Sequence, residues 1–346
     1  MKAAVLYGRE DVRVEEVPVP RPRDGEVLLR TSVALTCGTD VKVFRRGYHA
    51  RMIQPPAVFG HEVAGVVEET GAGVEGFEPG TRVAVANSAP CGHCPYCRAG
   101  RASLCDDLLF WNGAYAQFAR IPARVVARNL LPLRPGMGFR EAAMVEPLAC
   151  VVRGIEDCGI VRGQSVAVIG AGPVGLMLVR LARLRGAHVV AVGRNAGRLE
   201  AARALGAEAV VSTGRGDLAA QLRAACGNGL GPDVVIEAAG LVETAEAAVR
   251  AVRKGGVVNL FAGCSADARL VLDAQRLHYQ ELTIRSTFHH TPESIRTAYR
   301  LIADGDVDAS AFITSEATLD DLPAVLARLA RGGEGLKTAI LTWGAE

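Results

Sequence analysis

A short apolar run, Val166-Ala-Val-Ile169, enters the turn Gly170-Ala-Gly-Pro-Val-Gly175 and leaves as Leu176-Met-Leu-Val-Arg-Leu-Ala-Arg-Leu184, with apolar residues at helical spacing. Gly170, Gly172 and Gly175 match the G-x-G-x-x-G pattern. In that pattern the first glycine permits the tight turn, the second lets the backbone approach a pyrophosphate, and the third lets helix pack on strand. A bare triplet recurs by chance, but one held between a buried strand and an amphipathic helix opened by Pro173 and Val174 predicts a dinucleotide site. Beyond it, apolar strands at 188–192, 209–211, 233–238 and 257–262 alternate with helical runs at 198–205 and 245–252. That alternation predicts a parallel, doubly wound sheet, and ligands bind such sheets at the carboxyl ends of the strands. Gly170 to Gly175, Ala238 with Ala239 and Gly240, and Ala262 to Cys264 therefore share one crevice.

The chain has 346 residues, too many for one ordinary core, and suits two domains. With 39 basic against 37 acidic residues and a net charge of +2, it carries no electrostatic footprint for nucleic acid or an anionic membrane. A small-molecule substrate is expected. The N-terminus reads as a strand, and no later run reaches a membrane span uninterrupted by charge, so a cytoplasmic location is expected. In that reducing compartment the nine cysteines are metal ligands or buried apolar residues more readily than disulfides.

The first 150 residues begin β-rich, with strand-like runs at 2–7, 11–17 and 26–34 broken by Pro18, Pro20, Pro22 and Gly25. Two segments then place zinc-compatible side chains beside glycine: Cys37 in Thr36-Cys-Gly-Thr-Asp40, and His61 with Glu62 after Gly60. Alone, a Cys and a His 24 residues apart read more readily as a buried thiol and a core histidine than as ligands. More specific is Cys91-Gly-His-Cys-Pro-Tyr-Cys97, completed by Cys105, with thiols at spacings of three, three and eight. Four thiolates this close suit a closed tetrahedral zinc site, structural because no position remains for water or substrate. Disulfides between such near neighbours would be strained, and a nucleic-acid-binding ribbon would need more base than Arg98 and Arg101.

Gly60-His-Glu, Gly65, Gly71 and Val74 together reproduce the signature of the zinc-containing alcohol dehydrogenases, and the whole chain resembles the medium-chain dehydrogenase/reductase superfamily. The stretch Glu146-Pro-Leu148 is similar to the sorbitol dehydrogenase branch, where a glutamate replaces a zinc-ligating cysteine. The resemblance implies a GroES-like catalytic domain from 1–150 and 288–346, with a structural zinc lobe at about 88–108, and a Rossmann domain over 151–287. It implies two zinc ions per chain. Cys37 and His61 would hold the catalytic one, with Glu62 and Glu146 sharing the remaining position; Cys91, Cys94, Cys97 and Cys105 would hold the structural one. Thr39 matches the hydroxyl that first takes the alcohol proton, and Lys42 stands where the family commonly has a relay histidine. His289, His290 and Asn112 are candidate polar partners for a hydroxyl-rich substrate, with Phe110 and Trp111 as an apolar wall. The implied reaction moves a hydride between a nicotinamide cofactor and a secondary alcohol or ketone of a sugar, polyol or cyclitol, in a homodimer or homotetramer. A metal-free quinone or enoyl reductase lacks both cysteine sets, and a catalytically silent cofactor-binding relative has no need of Cys37, His61 and Glu62.

The cofactor choice rests on the second strand of the dinucleotide fold, which ends in Gly193-Arg194-Asn195-Ala-Gly-Arg198. NAD enzymes place an Asp or Glu there for the ribose hydroxyls, whereas a 2′-phosphate needs that acid absent and an Arg nearby. Gly193 supplies no acid, and Arg194 and Arg198 offer planar, charge-assisted donors. NADP(H) is expected over NAD(H).

Overall fold

The computed structural model describes residues 1–49, 51–214, 216–227 and 229–344. Contacts divide the chain into two compact units: Met1–Ala149 with His290–Glu346, and Cys150–His289. Among the described residues no helix is long and apolar enough to cross a membrane.

In the first unit a seven-stranded sheet carries the site. Its central strand, Val27–Leu35, is buried at most of its positions and pairs antiparallel with Glu62–Thr70 on one side and Lys337–Leu341 on the other. Register decides what meets: Leu35 stands opposite both Glu62 and Ala339. One residue before Glu62 is His61, and two after Leu35 is Cys37, so strand pairing alone brings the two to the same end of the sheet. Beyond Leu35 the chain turns into the helix Gly38–Arg46 through a capping box, with Cys37 as N-cap: its sulfur accepts from the Thr39 amide and Asp40 accepts from the Cys37 amide. Ala4, Leu6, Leu29, Phe59, Val63 and Ile121 lie in the core around this sheet.

The second unit is a six-stranded parallel sheet formed by Ser165–Ile169, His188–Gly193, Ala209–Ser212, Val234–Glu237, Val257–Leu260 and Thr283–Ser286. Counted along the chain, the strands stand in the order 3-2-1-4-5-6, so the order reverses between the first and fourth strands, where such sheets take their ligands. The helix Ala196–Ala204 starts before the predicted 198 because Asn195 caps it, accepting from the Arg198 amide. A helix at Leu218–Ala225 and the edge strand Thr283–Ser286 fall outside the predicted elements. Only Ala219 and Leu222 of that helix are buried, and the strand is largely exposed, so neither carries a strong apolar period.

Candidate functional site

Cys37, His61 and Glu62 each present a ligand atom, all within 4.8 Å of one another. His61 is buried, and its Nδ1 lies 3.1 Å from Asp40 Oδ1, which orients the ring and leaves Nε2 as the metal-facing nitrogen. Burial alone would depress the imidazole; Asp40 and then Cys37 outweigh it and hold its pKa well above the ordinary value. Asp40 is itself pinned by the Cys37 amide at 3.0 Å and the Tyr115 hydroxyl at 2.6 Å, both on Oδ2. This donor set, a thiol, an imidazole and a carboxylate with a fixed tautomer, fits zinc.

Glu62 is fully buried, and Lys337 holds both its carboxylate oxygens at 2.6 and 2.5 Å while also donating to the Thr36 carbonyl at 3.1 Å. Although burial pulls the Lys337 ammonium down, Glu62 more than offsets it and the pKa is raised. Glu146 lies in the first turn of the helix that starts at Val145, and burial pushes its carboxyl up to about 7, with His61 pulling the other way. His290 is also buried, with Nε2 at 3.0 Å from Asn87 Oδ1 and 3.5 Å from Glu146 Oε1.

Of the remaining candidates in this unit, Thr39 and exposed Lys42 sit on the helix Gly38–Arg46. Asn112 donates to the Met52 carbonyl at 2.8 Å, and Phe110 is half-buried in a short strand paired with Ser88–Ala89. Trp111 differs from its predicted place on an apolar wall. It is buried in the unit's core with its indole N–H donated to the Arg120 carbonyl at 2.8 Å, so its surface is already spent on packing.

The second metal set is Cys91, Cys94, Cys97 and Cys105, whose sulfurs all lie within 4.8 Å of one another. Backbone amides aim at them: His93 and Cys94 at Cys91 Sγ (3.5 and 3.3 Å), Cys97 at Cys94 Sγ (3.4 Å), and Cys91 at Cys105 Sγ (3.2 Å). Amide donors stabilise thiolate over thiol, and those of Cys97 and Asp106 bring the Cys94 pKa down to about 6. A cage of four cysteine sulfurs lined with N–H groups fits a closed zinc site.

In the other unit the helix Pro173–Leu184 starts at Gly172 with proline in its first turn and no side-chain cap, which leaves its leading amides open to an anion. A Cβ at Gly175 would lie 1.7 Å from the Gly170 carbonyl oxygen, whereas at Gly172 it would meet nothing within 4 Å. The third glycine is thus needed for packing, and the second faces open space that suits a pyrophosphate. Arg194 is exposed and Arg198 half-buried, both beside the Asn195 cap. Gly193 is tighter than an open phosphate seat: a Cβ there would lie 2.8 Å from Ala171 Cβ. Next to it, the Thr213 amide donates to the Gly193 carbonyl at 2.9 Å, and the Thr213 hydroxyl is buried without a hydrogen-bond partner. At Ala239 and Gly240, predicted to line the cofactor crevice, the amides donate to the buried Glu237 carboxylate at 2.8 and 2.9 Å, as that carboxylate requires. His289 belongs to this unit, with a left-handed φ of 61° and its ring 5.6 Å from that of Phe288.

Comparison with known proteins agrees with this chemistry. Residues 23–132 match the family model of the alcohol dehydrogenase GroES-like domain, and residues 173–304 that of the zinc-binding dehydrogenases. An L-threonine 3-dehydrogenase of Pyrococcus abyssi is 33% identical over 91% of this chain and 89% of its own. The chain belongs to the zinc-dependent medium-chain dehydrogenase/reductases. A sorbitol dehydrogenase of Bacillus subtilis is 29% identical over 95% of this chain and 93% of its own. Among solved structures, a zinc-binding dehydrogenase from Sinorhizobium meliloti 1021 bound to NADP superimposes with a TM-score of 0.90 at 30% identity, covering 99% of both chains. This medium-chain dehydrogenase is therefore an enzyme of the alcohol and polyol dehydrogenase type, with a GroES-like unit, a Rossmann unit, and zinc and NAD(P) as the family's cofactors.

Sequence reasoning missed Asp40, Tyr115, Lys337 and Glu237. A signal for Asp40 exists, because it stands at the third helical position after Cys37, where a capping box needs an acceptor. Lys337 is one of only four lysines in an arginine-rich chain, a weak flag. His49 was also passed over; it is half-buried, its Nδ1 accepts from the Arg51 and Met52 amides at 3.2 Å, and burial followed by His61 lowers its pKa.

Proposed function

We propose that the enzyme interconverts a secondary alcohol of a sugar, polyol or cyclitol and its ketone, with NADP(H) as the preferred hydride carrier and two zinc ions per chain. The observation that carries this reading is the convergence of Cys37, His61 and Glu62 within 4.8 Å, with Asp40 fixing the His61 ring. When bound, zinc at that site would supply a Lewis acid to acidify the substrate hydroxyl, and a nicotinamide would supply the hydride acceptor. The rest falls to the protein. Cys37 and His61 hold the ion, and Glu146 is the carboxylate that completes the set, because Lys337 engages both oxygens of Glu62. Thr39, on the first turn after Cys37, takes the proton leaving the alcohol. Cys91, Cys94, Cys97 and Cys105 hold the second ion for structure.

The polyol class is supported by the sorbitol dehydrogenase relative and by Glu146 at the Glu-Pro-Leu position. NADP(H) is supported by Arg194, Arg198 and the unpartnered Thr213 hydroxyl around an acid-free strand end, and by the NADP-bound neighbour. A homodimer or homotetramer in the cytoplasm accords with this role. A panel of C4 to C7 polyols, cyclitols and ketoses, run beside L-threonine and simple alkanols, is the deciding measurement. The highest kcat/KM is expected on a polyol, cyclitol or ketose; preference for L-threonine or an alkanol overturns the substrate class.

A further inference from the structure

We propose that Tyr115 is a positioning residue for the zinc ligand His61, acting through the Asp40 carboxylate. The proposal rests on the zinc reading of Cys37 and His61 and assigns a role to a side chain outside that ligand set. Tyr115 is fully buried, so its phenol must find its partner within the protein. It has two acceptors, Asp40 Oδ2 at 2.6 Å and the Leu35 carbonyl at 3.0 Å. The hydroxyl has one proton, and the shorter, charge-assisted contact takes it.

Asp40 is thereby held at both oxygens. Oδ2 receives the Tyr115 hydroxyl and the Cys37 amide, and Oδ1 faces His61 Nδ1 at 3.1 Å. Rotating the carboxylate away from His61 would break both bonds on Oδ2. The Tyr115 ring lies against the residue just before the same histidine. A Cβ at Gly60 would lie 2.5 Å from Tyr115 Cδ2, so the ring occupies the space a side chain at 60 would need, and it stands edge-on to Phe59 at 5.1 Å. The backbone follows suit: the Tyr115 amide donates to the Phe59 carbonyl at 3.0 Å, and the Gly113 and Ala114 amides to that of Gly60 at 3.0 and 3.1 Å. One residue thus braces the chain just before His61 and also the carboxylate that orients its ring. The charged and titratable groups around Asp40 and its partners are Cys37, His61, Glu62, Tyr115, Glu146 and, through Glu62, Lys337.

The test uses Tyr115→Phe, which keeps the ring and removes only the hydroxyl, in the zinc-loaded full-length enzyme. Transfer of each zinc to a chromophoric chelator is timed. Partners that orient metal-bound histidines are worth about 10- to 100-fold in metal affinity, so release from the mixed site is expected to be about tenfold faster, with the four-cysteine zinc leaving at the wild-type rate. Asp40→Asn alone should accelerate release at least as much, and in that background Tyr115→Phe should add nothing. Unchanged release in Tyr115→Phe, or an equal effect in the Asp40→Asn background, overturns the proposal. Wild-type protein that holds one zinc per chain overturns the metal assignment instead, so the two failures are distinguishable.

Discussion

Lys337→Met is the sharpest single perturbation of the site's charge balance. The side chain is 2% exposed, its partner Glu62 is 0% exposed, and the contacts are 2.6 and 2.5 Å. Methionine preserves much of the volume, so the cost is mainly that of a buried carboxylate left without its cation, about 3 to 5 kcal/mol. For a unit of about 200 residues each kcal/mol moves the midpoint by about 2 to 4 °C, which gives a fall in Tm of about 6 to 20 °C. The reference is the double variant Glu62→Gln with Lys337→Met, in which the uncompensated charge is gone; it should recover at least half of the loss. Differential scanning calorimetry of zinc-loaded protein reads both. A single variant within 2 °C of wild type, or a double variant less stable than the single, refutes the claim that the pair is held together by mutual compensation.

Chelation should strip the mixed site before the four-cysteine site, abolishing activity with the fold intact, and Cys37→Ala should lose turnover without unfolding; metal analysis showing fewer than two zinc ions per chain overturns this. Arg194→Ala should lower kcat/KM with NADP by about one to two orders of magnitude while sparing NAD, since a charge-assisted bond is worth about 1.5 to 3 kcal/mol. Installing Gly193→Asp to favour NAD should succeed only with Ala171→Gly, because a Cβ at 193 would lie 2.8 Å from Ala171 Cβ; equal gains without the second change refute that packing argument. In zinc-free enzyme Glu146 titrates near 7 when folded against 4.5 when unfolded, so the folded state binds more protons between those values. Its contribution to stability is full below pH 4.5 and is lost as pH rises through about 7; a denaturant midpoint that does not fall over that window contradicts the burial of this carboxylate.

What was legible in the sequence is what is local in it. Cys37, Gly60-His61-Glu62, the four thiols and the glycine turn each announce their chemistry within a few residues, because metal ligands and phosphate loops are built from short spans with little tolerance in spacing. The supporting groups are another matter. Tyr115 meets Asp40 across 75 positions, and Lys337 meets Glu62 across 275, through sheet pairings that no local period encodes. Burial is equally invisible: Trp111 beside Phe110 and Asn112 has the composition of a ligand wall, and only packing shows that its indole closes the core. The Glu237 carboxylate, on the last residue of its strand, takes the amides of Ala239 and Gly240, a pairing that their position at a strand end does not announce.

The charges gathered around His61 explain why these long-range groups belong to the site. With Cys37 as thiolate, Cys37, Asp40, Glu62 and Glu146 bring four negative charges against the single ammonium of Lys337, and all but the half-buried Cys37 are buried. Such an excess cannot be left uncompensated in a low-dielectric interior. Without a cation the protein must recruit protons: burial raises the Glu62 carboxyl and pushes that of Glu146 up to about 7, and against burial Asp40 and Cys37 hold the His61 imidazole well above its ordinary pKa. A divalent ion on Cys37, His61 and a carboxylate displaces those protons and cancels most of the excess. The same count explains why Lys337 is needed beside Glu62. Without it the excess would be four, and one divalent ion would leave two negative charges in place of one.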